Sequence, residues 1–425
     1  MPVHVQIALR TEPAQARPCD PCWHGPATRV SHTQAPLRYS RSPARLASGW
    51  SAASVEVVEG RRGVSRAVDD RRRSSNRGRW VVEASERGAT PIRPAVIVPC
   101  LWVREPAGEV ARRYVALFTD PATSPAAQPT ALRYVTPIPE TPAGSSGGEV
   151  AALRLAGQPV LVMSTNNGPP ATPNPSISFF VRFDPAVVPG ARERLERMWA
   201  ELSNGGKVLM ELGEYAYSPL YGWVEDRHGV SWQLFTPPPD ADPRPTVMLS
   251  LLFTAADGTA ADAGAFYRSV FPGSKDGFIA RLADVAPQSA AAAGGGGGDA
   301  PAEHTSAERV MGSPQRVMYS DFRLGETWFV AMDGGREHPF AFNEAISLMV
   351  ECDTQGEIDH YWEALSAVPE AEICGWCRDR FGVTWQVAPS LMRDVLAEGD
   401  PARVRRHVEA LQKMKKIELA GLPAN

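Results

Sequence analysis

Two Cys-x-x-Cys pairs are the residues of this sequence whose type and spacing most directly suggest chemistry, since neighbouring thiols can form a redox couple or bind zinc. Cys374 and Cys377 open a segment predicted to be a β-strand, whereas redox dithiols work at a helix N-terminus that lowers the thiol pKa. Cys19 and Cys22 lie in a Pro-rich stretch near His24, without a second ligand pair. We therefore assign neither pair a redox or zinc function.

A fifteen-residue motif that occurs twice, at residues 221–235 and 374–388, is the second candidate. Eight aligned positions are identical, at a constant offset of 153 residues. Each copy holds two Trp residues and one Gln, which could stack on an organic ligand or hydrogen-bond to it, although core packing is the more frequent fate of a strand Trp. The offset is too long for a solenoid unit and indicates a duplicated domain.

An Asp-Arg pair inside each copy of the motif is followed by a Gly two residues later, at Gly229 and Gly382. An Asp side chain can accept hydrogen bonds from backbone amides in a turn, and Gly can adopt positive φ there. We interpret Asp226 and Asp379 as structural residues of a hairpin.

Charge is divided unevenly along the chain. Residues 1–93 contain 16 Arg, no Lys and 8 acidic residues, so the net charge of −4 leaves −12 for residues 94–425. This leader is rich in Arg, Pro and Ser without periodicity and is predicted to be disordered. It lacks the aromatic interleaving and the recognisable module of a nucleic-acid-binding protein.

The composition predicts a protein without a membrane span, because nowhere do 18 apolar residues run together. Six Cys in 425 residues do not form a disulfide scaffold and fit a reducing compartment. We expect a cytoplasmic protein. Import into an organelle through an Arg- and Ser-rich transit peptide is the alternative.

The candidate residues lie in a repeated order of secondary structure. Each repeat consists of a strand, an amphipathic helix and two or three further strands. Hydrophobic periodicity predicts this plan four times between residue 95 and residue 391, with a Pro-rich linker in the middle at residues 236–245. A helical pattern follows from residue 401 to residue 419.

Several segments of the chain resemble a known family: Pro99-Cys100-Leu101-Trp102, residues 340–347 (FAFNEAIS), residues 354–365, Cys374-Gly375-Trp376 and residues 379–389 (DRFGVTWQVAP). They are similar to PhnB-like proteins, also called 3-demethylubiquinone-9 3-methyltransferase-like, of the glyoxalase, bleomycin-resistance and extradiol dioxygenase (vicinal oxygen chelate) superfamily. The chain departs from the family in its leader, in the Ala/Gly-rich insertion at residues 289–298 and in Cys377.

The resemblance implies an α+β fold of two tandem domains, each a pair of βαβββ modules that form cup-shaped mixed sheets with the ligand site on the concave face. The predicted segments are a disordered leader (1–93), domain 1 (94–236), a Pro-rich linker (237–245), domain 2 (246–391) and a C-terminal helical tail (392–425). Tandem fusion could replace homodimerisation, so both a monomer and a homodimer are consistent with the sequence.

The same resemblance implies the candidate site. Metal-dependent relatives in the superfamily place a Glu where this chain has Gln233 and Gln386. An amide carries no charge, so a divalent metal is disfavoured and no cofactor or metal ligand is predicted. Glu344 is the candidate catalytic residue, and the candidate ligand-binding residues are Gln233, Gln386, Asn343, Trp223 and Trp376.

For function, the sequence predicts a protein that binds a small organic molecule in a cup-shaped site, with the reaction unassigned. The alternative is a noncatalytic protein that sequesters a small molecule, of the bleomycin-resistance type, so whether the chain is an enzyme stays open. The one Gly run, at residues 294–298, has no strand leading into it. Methyltransferase activity through a Rossmann unit is therefore not expected.

Overall fold

The computed structural model of the chain describes residues 92–124, 129–142, 145–254, 259–285, 315–335 and 338–424. All of them belong to one compact unit, residues 86–425. The predicted leader, apart from Ile92 and Arg93, and the Ala/Gly-rich insertion at 289–298 lie outside the described residues. None of the helices in the described ranges is long and apolar enough to cross a membrane.

Fifteen strands and seven helices are present in the described residues. The strands are β1 (Ile97–Trp102), β2 (Ala131–Glu140), β3 (Ser146–Leu155), β4 (Gln158–Thr165), β5 (Ile177–Arg182), β6 (Lys207–Tyr215), β7 (Ser218–Glu225), β8 (Ser231–Thr236), β9 (Val247–Phe253), β10 (Lys275–Arg281), β11 (Val317–Leu324), β12 (Thr327–Asp333), β13 (Ile346–Cys352), β14 (Trp376–Arg378) and β15 (Thr384–Pro389). The helices are α1 (Ala107–Thr119), α2 (Ala191–Ser203), α3 (Thr259–Val270), α4 (Leu282–Val285), α5 (Gln355–Leu365), α6 (Leu391–Glu398) and α7 (Pro401–Leu411).

The strands form two mixed sheets, which confirms the predicted α+β class. The first sheet has the order β14-β15-β13-β1-β4-β3-β2 and the second β10-β11-β12-β9-β5-β8-β7-β6. In terms of the four predicted modules, module 1 is β1 to β4, module 2 is β5 to β8, module 3 is β9 to β12, and module 4 is β13 to β15. The first sheet therefore combines modules 1 and 4, and the second combines modules 2 and 3.

The two tandem halves are joined through their sheets. The seams are antiparallel: β1 pairs with β13, and β5 pairs with β9. Each sheet thus takes one module from each half of the chain. Within one half, the helix of the first module contacts the last hairpin of the second module, and the first strands of the modules pair across the halves.

The contacts between modules of the same half centre on the two hairpins predicted from the repeated motif. Asp226 accepts hydrogen bonds from Tyr114 on α1 (2.8 Å), from Trp232 Nε1 (3.0 Å) and from the backbone N–H groups of His228 and Val230 (2.8 and 3.0 Å). The carboxylate therefore ties the helix of module 1 to the last hairpin of module 2.

Asp379 repeats this arrangement in the second half of the chain. It accepts from Tyr267 on α3 (2.7 Å), from Trp385 Nε1 (2.8 Å) and from the N–H groups of Phe381 and Val383 (2.8 and 3.0 Å). The glycine of each hairpin has positive φ, 81° at Gly229 and 89° at Gly382. The structural interpretation of both hairpins is confirmed.

One hydrophobic core runs between the two sheets and their helices. It contains the inward side chains of both sheets, such as Leu101, Leu249 and Leu348, together with helix residues such as Phe118 and Leu195. The core also contains the tryptophans of the hairpin anchors. The opposite face of each sheet is therefore the one that is available for a ligand.

Module 4 has three strands instead of four. After α5 the chain makes a short 3₁₀ turn at Pro369–Ala371 and an isolated bridge between Ile373 and Trp376. The next backbone N–H groups, of Cys374 and Gly375, donate to the carbonyls of Met414 and Lys415. The C-terminal tail thus takes the hydrogen bonds that a fourth strand would make.

The two hairpin anchors give a prediction about stability. Replacing Tyr114 or Tyr267 with Phe removes one donor from a buried carboxylate, so we expect each change to lower the free energy of unfolding by about 1–3 kcal/mol. Urea denaturation followed by circular dichroism measures this. Tyr361→Phe is the matched control, because the buried Tyr361 hydroxyl has no hydrogen-bond partner. Equal losses in all three variants would contradict the anchor role.

Candidate functional site

We call the outward face of the first sheet face A. At the seam between β1 and β13, Cys100 lies opposite Ser347. On the far side of β13, Thr384 follows in β15 and is paired with Arg378 in β14. Because side chains alternate along a strand, these four residues form one row across the sheet.

Gln386 lies in the next row of face A, directly opposite Trp376. Its Nε2 donates to Ser347 Oγ at 2.8 Å. Gln386 is half-buried, so part of the amide remains accessible. The structure thus brings two of the predicted ligand-binding residues, Gln386 and Trp376, together on one face.

Trp102 and Glu344 complete the same end of face A. The Trp102 ring lies 6.3 Å from the Trp376 ring, centroid to centroid, with the planes tilted by 32°. The Glu344 carboxylate forms an ion pair with Arg378, and both side chains are about one-third exposed. Glu344, the predicted catalytic residue, is therefore paired with a cation beside the two aromatic rings.

Three buried polar atoms on face A have no hydrogen-bond partner: Trp102 Nε1, Thr384 Oγ1 and Arg378 Nε. Thr384 is 3% exposed, so its hydroxyl cannot turn freely to solvent. An unsatisfied buried donor or acceptor costs about 1–3 kcal/mol. Thr384 and Arg378 lie opposite each other in β15 and β14, and Trp102 lies in β1 with its ring beside the Trp376 ring. We take these three atoms as the candidate ligand contacts of face A.

Face B, the outward face of the second sheet, carries two more of the predicted residues, Gln233 and Trp223, and their polar atoms are hydrogen-bonded within the protein. Gln233 is buried, its Oε1 accepts from Tyr221 (2.9 Å) and its Nε2 lies 3.3 Å from Ser250 Oγ. Trp223 Nε1 donates to Ser231 Oγ (2.8 Å). The polar groups of the motif on face B therefore satisfy one another.

The rest of face B is apolar and aromatic. A cluster separate from the main core consists of Phe180, Tyr221, Trp223, Met248, Leu252 and Val330. Tyr319, Trp328 and Phe340 pack against this cluster, and the His338 ring lies 6.2 Å from the Trp223 ring.

The residue types of the two faces differ at the positions of Thr384 and Arg378, two of the residues that carry unpaired polar atoms on face A. At the motif offset of 153 residues, Ser231 takes the place of Thr384 and Glu225 that of Arg378. The Ser231 hydroxyl is bonded to Ser178 (2.9 Å) and to the Trp223 ring. Duplication has therefore left two faces with similar backbones but different polar chemistry.

Asn343 lies in the loop before β13 and supports that loop. Its Oδ1 accepts from the Ala345 N–H (2.9 Å), and its Nδ2 donates to the Thr172 carbonyl (3.0 Å). Both ends of the amide are thus engaged by backbone groups. The structure does not bring Asn343 into the row of face A.

The sequence singled out neither Trp102, Thr384 nor Arg378. A signal was present, because Arg378 lies two residues after Trp376 and Thr384 two residues before Gln386. The period of two in a strand places them on the same face as these predicted residues. Trp102 follows Cys100 by the same rule.

The thiols do not form a reactive pair. Cys377 points into the main core, and burial raises its pKa to about 12. Burial also raises the pKa values of Cys374, Cys100 and Cys352. A thiolate is therefore disfavoured at neutral pH, which agrees with the sequence-based assignment for the Cys374–Cys377 pair.

A metal site is also not apparent in the described ranges, where no three His, Cys, Asp or Glu side chains are grouped to hold an ion. The Gln233 amide, at the position of a superfamily metal ligand, is used by Tyr221 and Ser250. The expectation that a divalent metal is disfavoured stays a prediction.

A cavity of about 320 Å³ lies away from both faces, between α1, α2 and the first hairpin. Two of its lining residues, Tyr114 and Asp226, are bonded to each other in the anchor. We place the candidate site on face A because three unpaired polar atoms lie there on the same face as two of the predicted ligand-binding residues, Gln386 and Trp376.

A family model described as 3-demethylubiquinone-9 3-methyltransferase matches residues 95–235 and 301–388 of the chain, one segment in each half. The chain belongs to this family. The resemblance to PhnB-like proteins seen in the sequence is thereby confirmed, and the two matched segments agree with a tandem member of the family.

Several solved structures are similar to parts of the chain. The PhnB protein from Bacillus cereus is 26% identical, with 33% of this chain and 97% of that chain covered and a TM-score of 0.26. Glyoxalase I from Zea mays is 11% identical, with 68% and 92% covered and a TM-score of 0.37. No curated protein matches the chain at a significant level.

The two motif glutamines should differ in their contribution to stability. Gln233→Ala leaves the buried Tyr221 hydroxyl and Ser250 unpaired, so we expect the free energy of unfolding to fall by about 1–3 kcal/mol. Gln386→Ala removes one bond from a half-buried amide and should cost about 1 kcal/mol or less. Chemical denaturation of both variants tests this, and a larger loss for Gln386→Ala would contradict it.

Proposed function

We propose that the protein binds a small organic molecule on face A, beside Trp102 and Trp376. The observation that carries the proposal is the group of three buried, unpaired polar atoms on Trp102, Thr384 and Arg378. A folded protein that keeps such atoms unpaired loses stability, and a bound ligand would recover it.

The atoms indicate what the ligand must offer. Trp102 Nε1 and Arg378 Nε are donors, and the Thr384 hydroxyl is both donor and acceptor. A carbonyl or carboxylate group would satisfy them, while the tilted indole rings of Trp102 and Trp376 supply apolar contact. We therefore expect a compact molecule with an acceptor group next to an apolar or aromatic part.

Arg378 links this site to Glu344. In the free protein its guanidinium is paired with the Glu344 carboxylate, which places a potential proton acceptor next to the bound ligand. Catalysis would require this carboxylate to leave Arg378 and take a proton from the ligand. A protein that only sequesters the ligand would keep the ion pair intact. The Glu344→Gln variant distinguishes a catalyst from a sequestering protein. It should bind the ligand in either case, and it should lose turnover if the protein is a catalyst.

Methyl transfer is not part of the proposal. The two sheets are mixed and contain antiparallel seams, whereas an S-adenosylmethionine-binding Rossmann unit needs a doubly wound parallel sheet with a Gly-rich turn. The proposal takes from the family the location of a ligand on the outward face of the sheet and nothing about the reaction.

Thr384→Val should weaken ligand binding without loss of stability. The change removes an unpaired hydroxyl and keeps the shape of the side chain, so we expect an unchanged or higher melting temperature. Affinity should fall about 5- to 10-fold, the equivalent of one hydrogen bond. A thermal-shift screen with small aromatic carboxylic acids, amides and ketones identifies binders, and isothermal titration calorimetry measures their affinity.

Ser231→Ala is the matched control on face B. It leaves Trp223 Nε1 and Ser178 Oγ without their common partner, so it should lower the free energy of unfolding by about 1–2 kcal/mol and leave ligand affinity unchanged. A screen without binders, or a ligand that responds to Ser231→Ala and not to Thr384→Val, would refute the placement on face A. Retention of activity and binding in a chelator would argue against a metal.

A further inference from the structure

The linker between the two halves places an arginine on face B. Arg244 Nε and Nη2 donate to the two carboxylate oxygens of Asp321, at 2.9 and 3.1 Å. The Arg244 guanidinium carbon lies 4.3 Å from the centre of the Trp328 ring. The side chains are 10% and 5% exposed, respectively, for Arg244 and Asp321, so this bidentate pair is largely shielded from water.

Groups other than Arg244 hold Asp321 in place. The Phe278 N–H donates to its Oδ1 (2.8 Å), and the Tyr319 hydroxyl lies 3.3 Å from its Oδ2. A Cβ at Gly277 would lie 1.9 Å from Oδ1, so only glycine allows this approach. The carboxylate is therefore built into β10 and β11, and its position does not depend on the linker.

Arg244 itself comes from a segment with no helix or strand. Besides Asp321, its guanidinium contacts the Pro243 carbonyl (3.0 Å) and, at 3.5 Å, the Asp242 carboxylate. The segment is further tied to face B by Arg182 Nη1, which donates to the Asp242 carbonyl (2.7 Å). The irregular linker segment thus places the planar guanidinium of Arg244 against Asp321 and Trp328, which belong to the sheet.

Face A has no counterpart of this acid. In the second sheet Asp321 lies opposite Val330 of β12, next to the seam strand β9. The corresponding position of the first sheet, opposite Leu161 of β4, is Ala152. The acidic and aromatic position is therefore a property of face B alone and is independent of the proposed ligand on face A.

We propose that face B is a binding site for small organic cations of the guanidinium type, and that Arg244 occupies it in cis as a built-in competitor. Two parallel N–H groups of a guanidinium match a carboxylate, and its flat, weakly hydrated face stacks on an indole. A primary ammonium has no planar fork and is more strongly hydrated, so it matches the carboxylate and the indole less well. A guanidinium compound gains access when the linker moves Arg244 away from Asp321.

The experiment uses the full chain with Arg244→Ala, and ethylguanidinium as the probe with ethylammonium as its charge-matched control. The substitution leaves Asp321 buried without its cation, so we expect a lower melting temperature than in the unchanged protein. Ethylguanidinium at low millimolar concentration should raise it in a saturable way, and ethylammonium should need at least tenfold higher concentration. The unchanged protein should respond to neither compound below ten times that concentration.

One further variant and one refolding measurement test the proposal further. Arg244→Ala combined with Asp321→Asn should lose the response to ethylguanidinium, because the carboxylate that recognises it is gone. If Arg244→Ala does not fold in plain buffer, refolding in ethylguanidinium but not in ethylammonium supports the proposal. Failure in both, an equal response of the unchanged protein and the Arg244→Ala variant, or a response that survives Asp321→Asn would overturn it. None of these results depends on Thr384 or on face A.

Discussion

The buried carboxylates of Asp226 and Asp379 are the constraint on which the rest of the structure depends. Each receives four hydrogen bonds, from a tyrosine on the preceding module, from a tryptophan of its own hairpin and from two backbone amides. A carboxylate can be buried at tolerable cost only when its oxygens are satisfied in this way. Each carboxylate thus holds the turn, the inward tryptophan and the docked helix together. Loss of any one of these donors would leave a buried carboxylate less well hydrogen-bonded and would destabilise the whole arrangement.

These anchors also explain how the two faces arise. They join the modules of one half through the core, while each sheet combines one module from each half. The residues of each face come from distant parts of the chain: Trp102 lies in the first strand and Thr384 in the last. The two copies of the motif keep the inward tryptophans, Trp232 and Trp385, and the outward glutamines, Gln233 and Gln386, but their outward faces differ at Ser231 and Thr384.

Much of this could be predicted from the sequence, because the signals are local. Strand alternation and helical spacing gave the four modules, and Asp-Arg-x-Gly identified the hairpin turns with their positive φ values. Module pairing could not be predicted in the same way, since any two β-edges of similar composition can pair and the choice is made by tertiary packing. The unpaired state of Thr384 and the contact of Arg244 with Asp321 also depend on residues far apart in sequence. Asn343 was predicted as a ligand-binding residue from its position beside the site. Its side chain instead hydrogen-bonds to backbone groups and supports the loop.

The seam between β1 and β13 has a consequence for how the chain is made. Ile97 pairs with Val350, so β1, the first strand of the described residues, is synthesised roughly 250 residues before its partner β13, on the order of 10–50 s earlier. During that time β1 can pair with β4 of its own module, but its other edge, which pairs with β13 in the folded protein, is open. A nascent chain of this family member therefore carries an unprotected sheet edge through most of its synthesis, and it closes that edge only when its last module emerges.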